Sequence, residues 1–174
     1  YVLKEYEENG SRFFEFSKDG GKTFVRSQNP IGAITFIHFF STGRALVCGT
    51  RNVYYTDDFS SFTETSVYDY DYDGTLYAPN VDSYYRLGNY NSEYYEIDGK
   101  EVLVWNDYNV VSGYNSRVWL TDDYGVTLKC ILKDGSTLDD DGNVIDVTHF
   151  HRTYVDVSGK IYVTSGDDGD LCKL

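Results

Sequence analysis

Ser17-Lys18-Asp19-Gly20-Gly21-Lys22-Thr23-Phe24 is the stretch that decides how this chain is read. Phe13 to Ser17 before it and Thr23 to Arg26 after it are rich in aromatic and β-branched residues, which favour strands. Between them, an Asp that bonds its own backbone and two glycines free to take positive φ specify a tight hairpin. The pattern is Ser-x-Asp-x-Gly-x-Thr-aromatic, and the aromatic ring is expected to fold under the turn. The pattern returns twice. Thr121-Asp122-Asp123-Tyr124-Gly125-Val126-Thr127-Leu128 keeps it with Leu for the aromatic. Thr56-Asp57-Asp58-Phe59-Ser60-Ser61-Phe62-Thr63 is a worn copy with Ser in place of Gly. Each follows a short strand-like run: Phe13 to Phe16, Val53 to Tyr55, and Arg117 to Leu120.

At these residues the chain resembles the Asp-box (BNR) repeat of the sialidase-like β-propellers. The residues that carry the likeness, read as structural, are Ser17, Asp19, Gly21, Thr23, Phe24, Asp58, Asp123 and Gly125. The resemblance implies an all-β propeller with its site at the mouth of a central channel. One fold hosts many activities, so it implies far less about function.

The chain's own periodicity points to the same class. No stretch sustains a 3.6-residue apolar period; short strand-like runs are cut by Gly, Asn and Asp. A unit of four strands recurs, with the Asp-box between the third and fourth. The expected organisation is one partial propeller domain over residues 1–174, with units at roughly 1–28 (partial), 29–66, 67–133 and 134–174 (partial). Strands Thr23 to Arg26 and Thr127 to Leu132 are expected on the outside. Ser165-Gly166-Asp167-Asp168-Gly169 is not counted as a fourth box, because it follows a second strand rather than a third. Propellers have typically 4–8 blades, so a little over three imply further blades beyond this chain. A partial stack exposes sheet faces and edges, and poor behaviour as an isolated monomer is expected.

Composition narrows the partners. A net charge of −13 argues against nucleic acid, which calls for basic patches. No apolar run is long enough for a membrane helix. Cys48, Cys130 and Cys172 lack metal spacing and read as small buried thiols. The resemblance favours a secreted or cell-surface location.

Antiparallel strands place the Asp-boxes and the first-to-second-strand turns at one end of the units. The longer connections lie at the other end, where a site is expected. Aligning the units on turn glycines Gly43, Gly99 and Gly159 stacks Ala33 with Asn89 and His149, Thr35 with Asn91 and His151, and Arg51 with Asp107 and Asp167. His149, His151 and Asp167 are therefore the candidate catalytic residues, with Arg51, Asn91 and Asp107 nearby to bind substrate. His149 and His151 share one strand face, ~7 Å apart by strand rise. They suit proton transfer or substrate binding, a divalent metal with Asp167, or hydrogen bonding across the channel alone. His38 aligns with Tyr154, deeper along the first strand, and is read as structural.

Two further features lie in the insertion from Val67 to Ser92. Tyr68, Tyr70, Tyr72, Tyr77, Tyr84, Tyr85 and Tyr90 offer flat faces with hydroxyls. Such faces suit sugar rings, a protein partner, or packing of the loop on itself; Tyr84 and Tyr85 are taken as substrate-binding candidates. Asp69, Asp71 and Asp73 begin an oxygen-rich calcium loop, although Asn80 stands where the closing Glu of an EF-hand would be. Asp139-Asp140-Asp141-Gly142 is a weaker acidic turn. Cofactors are therefore none, or calcium.

Function is expected in carbohydrate chemistry, as a glycoside hydrolase or polysaccharide lyase acting at the channel mouth. A non-catalytic propeller module that binds glycan or protein is the alternative. The arginine triad and Tyr–Glu pair that the sialidases use are not found here: only Arg51 and Arg86 fall on the right end.

Overall fold

The computed structural model describes residues 1–32, 34–49, 52–70, 76–77, 92–97, 99–106, 116–133, 141–143 and 150–165. The described residues hold strands and no helix. The first sheet is β1 (Val2–Glu8), β2 (Ser11–Ser17) and β3 (Val25–Gln28). The second is β4 (Ile34–Phe39), β5 (Ala45–Gly49), β6 (Val53–Thr56) and β7 (Thr63–Glu64). Next in the chain come β8 (Ser66–Tyr70) and β9 (Leu76–Tyr77). The third sheet is built on β10 (Ser92–Ile97), β11 (Lys100–Asn106), β12 (Arg117–Thr121) and β13 (Thr127–Lys133). Strands β14 (Phe150–Val155) and β15 (Ile161–Ser165) form the fourth. Within each unit, consecutive strands pair antiparallel.

The sheets pack face to face in chain order, because their second strands are apolar on both faces. In β5, Ala45 and Val47 turn to the first sheet, where they meet Phe14 and Phe16. Leu46 and Cys48 turn the other way, onto Leu103, Trp105 and Trp119 of the third sheet. In β11 the alternation repeats: Leu103 and Trp105 face the second sheet, and Val102 and Val104 face Phe150 of the fourth. Every described residue of β5 is buried, as are Glu101 to Asn106 of β11. A period-2 alternation with both phases apolar can only be satisfied between two other layers. Each large side chain buried this way contributes roughly 1.5–3 kcal/mol. Cys48 and Cys130 are buried in the contact between the second and third sheets, as the sequence suggested for them; Cys172 lies outside the described residues.

The outer edges depart from expectation. Strand β3 begins at Val25, not Thr23, because Thr23 is held by the turn before it. Strand β13 is not outermost: β8 pairs with it in parallel, and β9 pairs with β8. Thr65, which donates its backbone N–H to Val53 of β6, sends its hydroxyl to the Gly125 carbonyl of the third sheet (2.8 Å). Ser66 N–H then bonds the Val126 carbonyl (3.0 Å). The chain thus leaves the second sheet after two residues of β7 and stitches itself along the third. The start of the Tyr-rich insertion is therefore sheet edge rather than loop, and Tyr68 stands exposed on it.

Candidate functional site

The three carboxylate turns lie at one end. In the first, Ser17 Oγ donates to Asp19 Oδ1 (2.7 Å) and accepts from Gly21 N–H (2.8 Å). Asp19 Oδ1 also accepts from the N–H groups of Lys22 and Thr23 (both 2.9 Å), and Oδ2 takes the Thr23 hydroxyl (2.7 Å). These bonds stabilise the anion and hold the Asp19 carboxyl well below its ordinary range. Asp123 repeats the arrangement with Thr121, Gly125 and Thr127. The worn copy is tighter. Asp58 accepts from Ser60 and Ser61 N–H (2.8 and 3.1 Å), and Thr56 Oγ1 donates to the Ser61 carbonyl (2.7 Å). Gly21 and Gly125 sit at φ +91° and +83°; Ser60, at the same position, does not share that conformation, so the turn closes sooner.

One residue earlier, all three turns have positive φ: Gly20 +75°, Phe59 +60°, Tyr124 +59°. In the second and third turns this aims an aromatic ring at the preceding sheet. Phe59 inserts among Phe14, Phe16 and Phe39, and Tyr124 meets Phe40 edge-on at 5.6 Å. Phe24, expected to be buried under the first turn, is only half-buried, with the Lys4 ammonium 3.9 Å above its ring. Arg44 joins the same end by a bidentate pair to Asp57 (2.8 and 3.1 Å). These groups satisfy one another.

The opposite end is where chemistry was expected. Of the candidates there, His151 is described; its ring is half-buried, with Nε2 inside. His149, Asp167, Arg51, Asn91, Asp107, Tyr84 and Tyr85 lie outside the described residues. So do Asp71 and Asp73; Asp69 lies in β8. Among the described residues, no three His, Cys, Asp or Glu side chains cluster closely enough to hold a metal.

The backbone at His151 is distinctive. Phe150 pairs with Ser165 and Arg152 with Thr164, so His151 is the extra residue of a β-bulge. The same bulge occurs in β4, where Ile34 pairs with Gly49 and Phe36 with Cys48, leaving Thr35 extra. Thr35 and His151 are thus equivalent in structure as they are in sequence alignment. A bulge breaks the alternation of side chains and re-aims one of them, which is why bulges recur beside active sites.

The third sheet does not follow the glycine alignment. Gly43 and Gly159 belong to five-residue turns, Phe40–Arg44 and Asp156–Lys160, closed by matching backbone bonds. Gly99 belongs to a two-residue turn between paired Ile97 and Lys100. Counting from the ladder to the third strand instead, Glu5, Cys48 and Asn106 are equivalent, opposite Phe14, Val53 and Val118.

That position was missed from sequence, and in two of three units it carries a polar side chain that bonds another element. Asn106 is 3% exposed. Its Nδ2 donates to the Phe150 carbonyl (3.0 Å), and its Oδ1 accepts from the Thr153 hydroxyl (3.0 Å). The two contacts bracket His151. Glu5 accepts from Asn29 Nδ2 (2.9 Å), and Asn29 in turn holds Ile31 N–H and the Gly32 carbonyl, on the entry to β4. Cys48 is buried in apolar surroundings that push its thiol up.

His38, read as structural, is set against the third sheet near Glu101. Burial pulls its pKa down, and the Glu101 carboxylate opposes this. Glu101 accepts from both the N–H (2.9 Å) and hydroxyl (2.6 Å) of Ser41, tying the second sheet's turn to the third sheet.

In comparisons with known proteins, no protein-family model matches the chain, and no curated protein matches it significantly.

Proposed function

We propose that the chain is part of an Asp-box β-propeller that acts on carbohydrate at the end opposite its carboxylate turns, with His151 as a working group of the site. The observation that carries this reading is the bulge at His151. It re-aims an imidazole at the entry to an inner strand, and the equivalent bulge at Thr35 lies at the same end of its own sheet. Sheets stacked face to face in chain order, with repeated turns at one end, are the arrangement expected of blades around an axis. An imidazole at the mouth of such an axis can exchange a proton with a sugar hydroxyl or ring carbon near neutral pH. The acidic chain favours neutral over strongly anionic glycans.

Incubation of the full chain with a polysaccharide panel tests this. New reducing ends without ultraviolet absorbance indicate hydrolysis; absorbing unsaturated ends indicate a lyase. Loss of either in H151A supports the role of His151. Binding without turnover leaves the binding-module reading, and neither binding nor turnover removes the carbohydrate assignment.

A further inference from the structure

We infer that Asn106 is a positioning residue for His151, a role that rests on the reading of His151 as a site group. The geometry is specific. The Phe150 carbonyl can only accept a hydrogen bond, so the amide nitrogen must face it; the remaining oxygen then receives the Thr153 hydroxyl. Asn106, Phe150 and Thr153 are 3%, 2% and 0% exposed, so water does not substitute for any of them. The residues gripped lie immediately before and two after the bulged His151. A bulge disrupts the ladder locally and bends its strand, so the direction of its side chain depends on how the flanking backbone is held. The grip from the neighbouring sheet holds that backbone on both sides of the bulge and so fixes where the imidazole stands.

The stack itself does not require this amide. The equivalent position facing the third sheet is Cys48, packed in an apolar cluster. The equivalent facing the second sheet is Glu5, which accepts from Asn29 ahead of β4. One position in the repeat therefore carries three chemistries, and the one beside a histidine clamps the bulge from both sides. Asp cannot replace Asn here, because a carboxylate cannot donate to Phe150; Leu offers neither bond.

The test uses the full chain and nuclear magnetic resonance. Its three histidines, His38, His149 and His151, give separate ring signals, with His151 assigned through H151Q. In N106D the His151 ring signal and the amides of residues 150–153 shift and broaden, while His38, between other sheets, stays in place. T153V, which keeps the shape of the side chain and removes one bond, moves the same signals by less. Should N106D fail to fold, T153V alone decides. An unmoved His151 in whichever of these variants folds overturns the inference, and so does an equal displacement of His38, which would mean a general loss of packing. Glycan binding is measured on the same samples. If the wild type binds, N106D weakens binding about tenfold. If the wild type binds nothing, the carbohydrate reading falls while the spectra still decide the role of Asn106.

Discussion

Gly125 and Leu46 touch so closely that a Cβ built on the glycine would stand 2.7 Å from Leu46 Cδ1. Gly125 belongs to the third carboxylate turn and Leu46 to the second strand of the preceding sheet, so the turn is part of the sheet-to-sheet contact. Gly125→Ala therefore meets two penalties, a backbone at φ +83° and an overlap in a packed core. The expected loss is about 2–4 kcal/mol. Gly99→Ala, at φ +76° with open space around it, carries the backbone penalty alone, about 1 kcal/mol. Urea unfolding of both variants separates the two; equal losses would mean that the turn does not bear on Leu46.

At Phe59 the usual order of two substitutions is expected to invert. Phe59→Ala removes a ring buried among Phe14, Phe16, Phe39 and Phe62 and costs about 3–5 kcal/mol. Gly in place of Ala ordinarily costs up to about 1 kcal/mol more. Here φ is +60°, where alanine is strained and glycine is not, so Phe59→Gly should be at least as stable as Phe59→Ala. Their unfolding midpoints provide the check, and a glycine variant clearly below the alanine one would contradict the conformation.

Acidification should destabilise the fold in two stages. His38 has a folded pKa below its unfolded value, so its contribution is complete above about pH 6.5 and is lost as the pH falls through the folded pKa. The carboxylates follow. Asp57 is lowered first by its bond from Arg44, Asp58 by its bonds from Ser60, and Asp156 to about 2 by Ser158 and Lys160. Their contribution is present above the ordinary carboxylate range of about 4 and is lost below it. Unfolding from pH 8 to pH 3 measures both stages. His38→Gln should flatten the upper stage and leave the lower; an unchanged upper stage would assign it elsewhere. In Glu101→Gln, the His38 titration midpoint should fall further, because the opposing carboxylate is gone.

The parts of the structure legible in sequence are those whose side chains spell out their own hydrogen bonds. Ser17, Asp19 and Thr23 occupy the spacing at which one carboxylate can satisfy a whole turn, and Thr121, Asp123 and Thr127 repeat it. The apolar runs Ala45 to Cys48 and Val102 to Trp105 likewise announce strands buried on both faces. What was hidden depends on registration rather than residue type. Gly99 looks like Gly43 and Gly159 in sequence, yet its turn is three residues shorter, which displaces the third unit against the others. Ser66-Val67-Tyr68-Asp69-Tyr70 alternates as a strand should, but its partner is a parallel strand far along the chain, so it read as loop. Asn106 closes an apolar run and was overshadowed by its charged neighbour Asp107. Only the ladder opposite Val118 reveals that it faces the bulge at His151.

The most direct test of the account is the affinity of the full chain for oligosaccharides, with and without the His151 imidazole. Calorimetric titration follows a glycan-array screen, and urea unfolding is run on the same samples. The account predicts that the wild type binds at least one neutral glycan, and that His151→Ala weakens that binding about tenfold or more with an unchanged unfolding midpoint. A His151→Ala variant that keeps wild-type affinity, or a wild type that binds no glycan on the array, would contradict it.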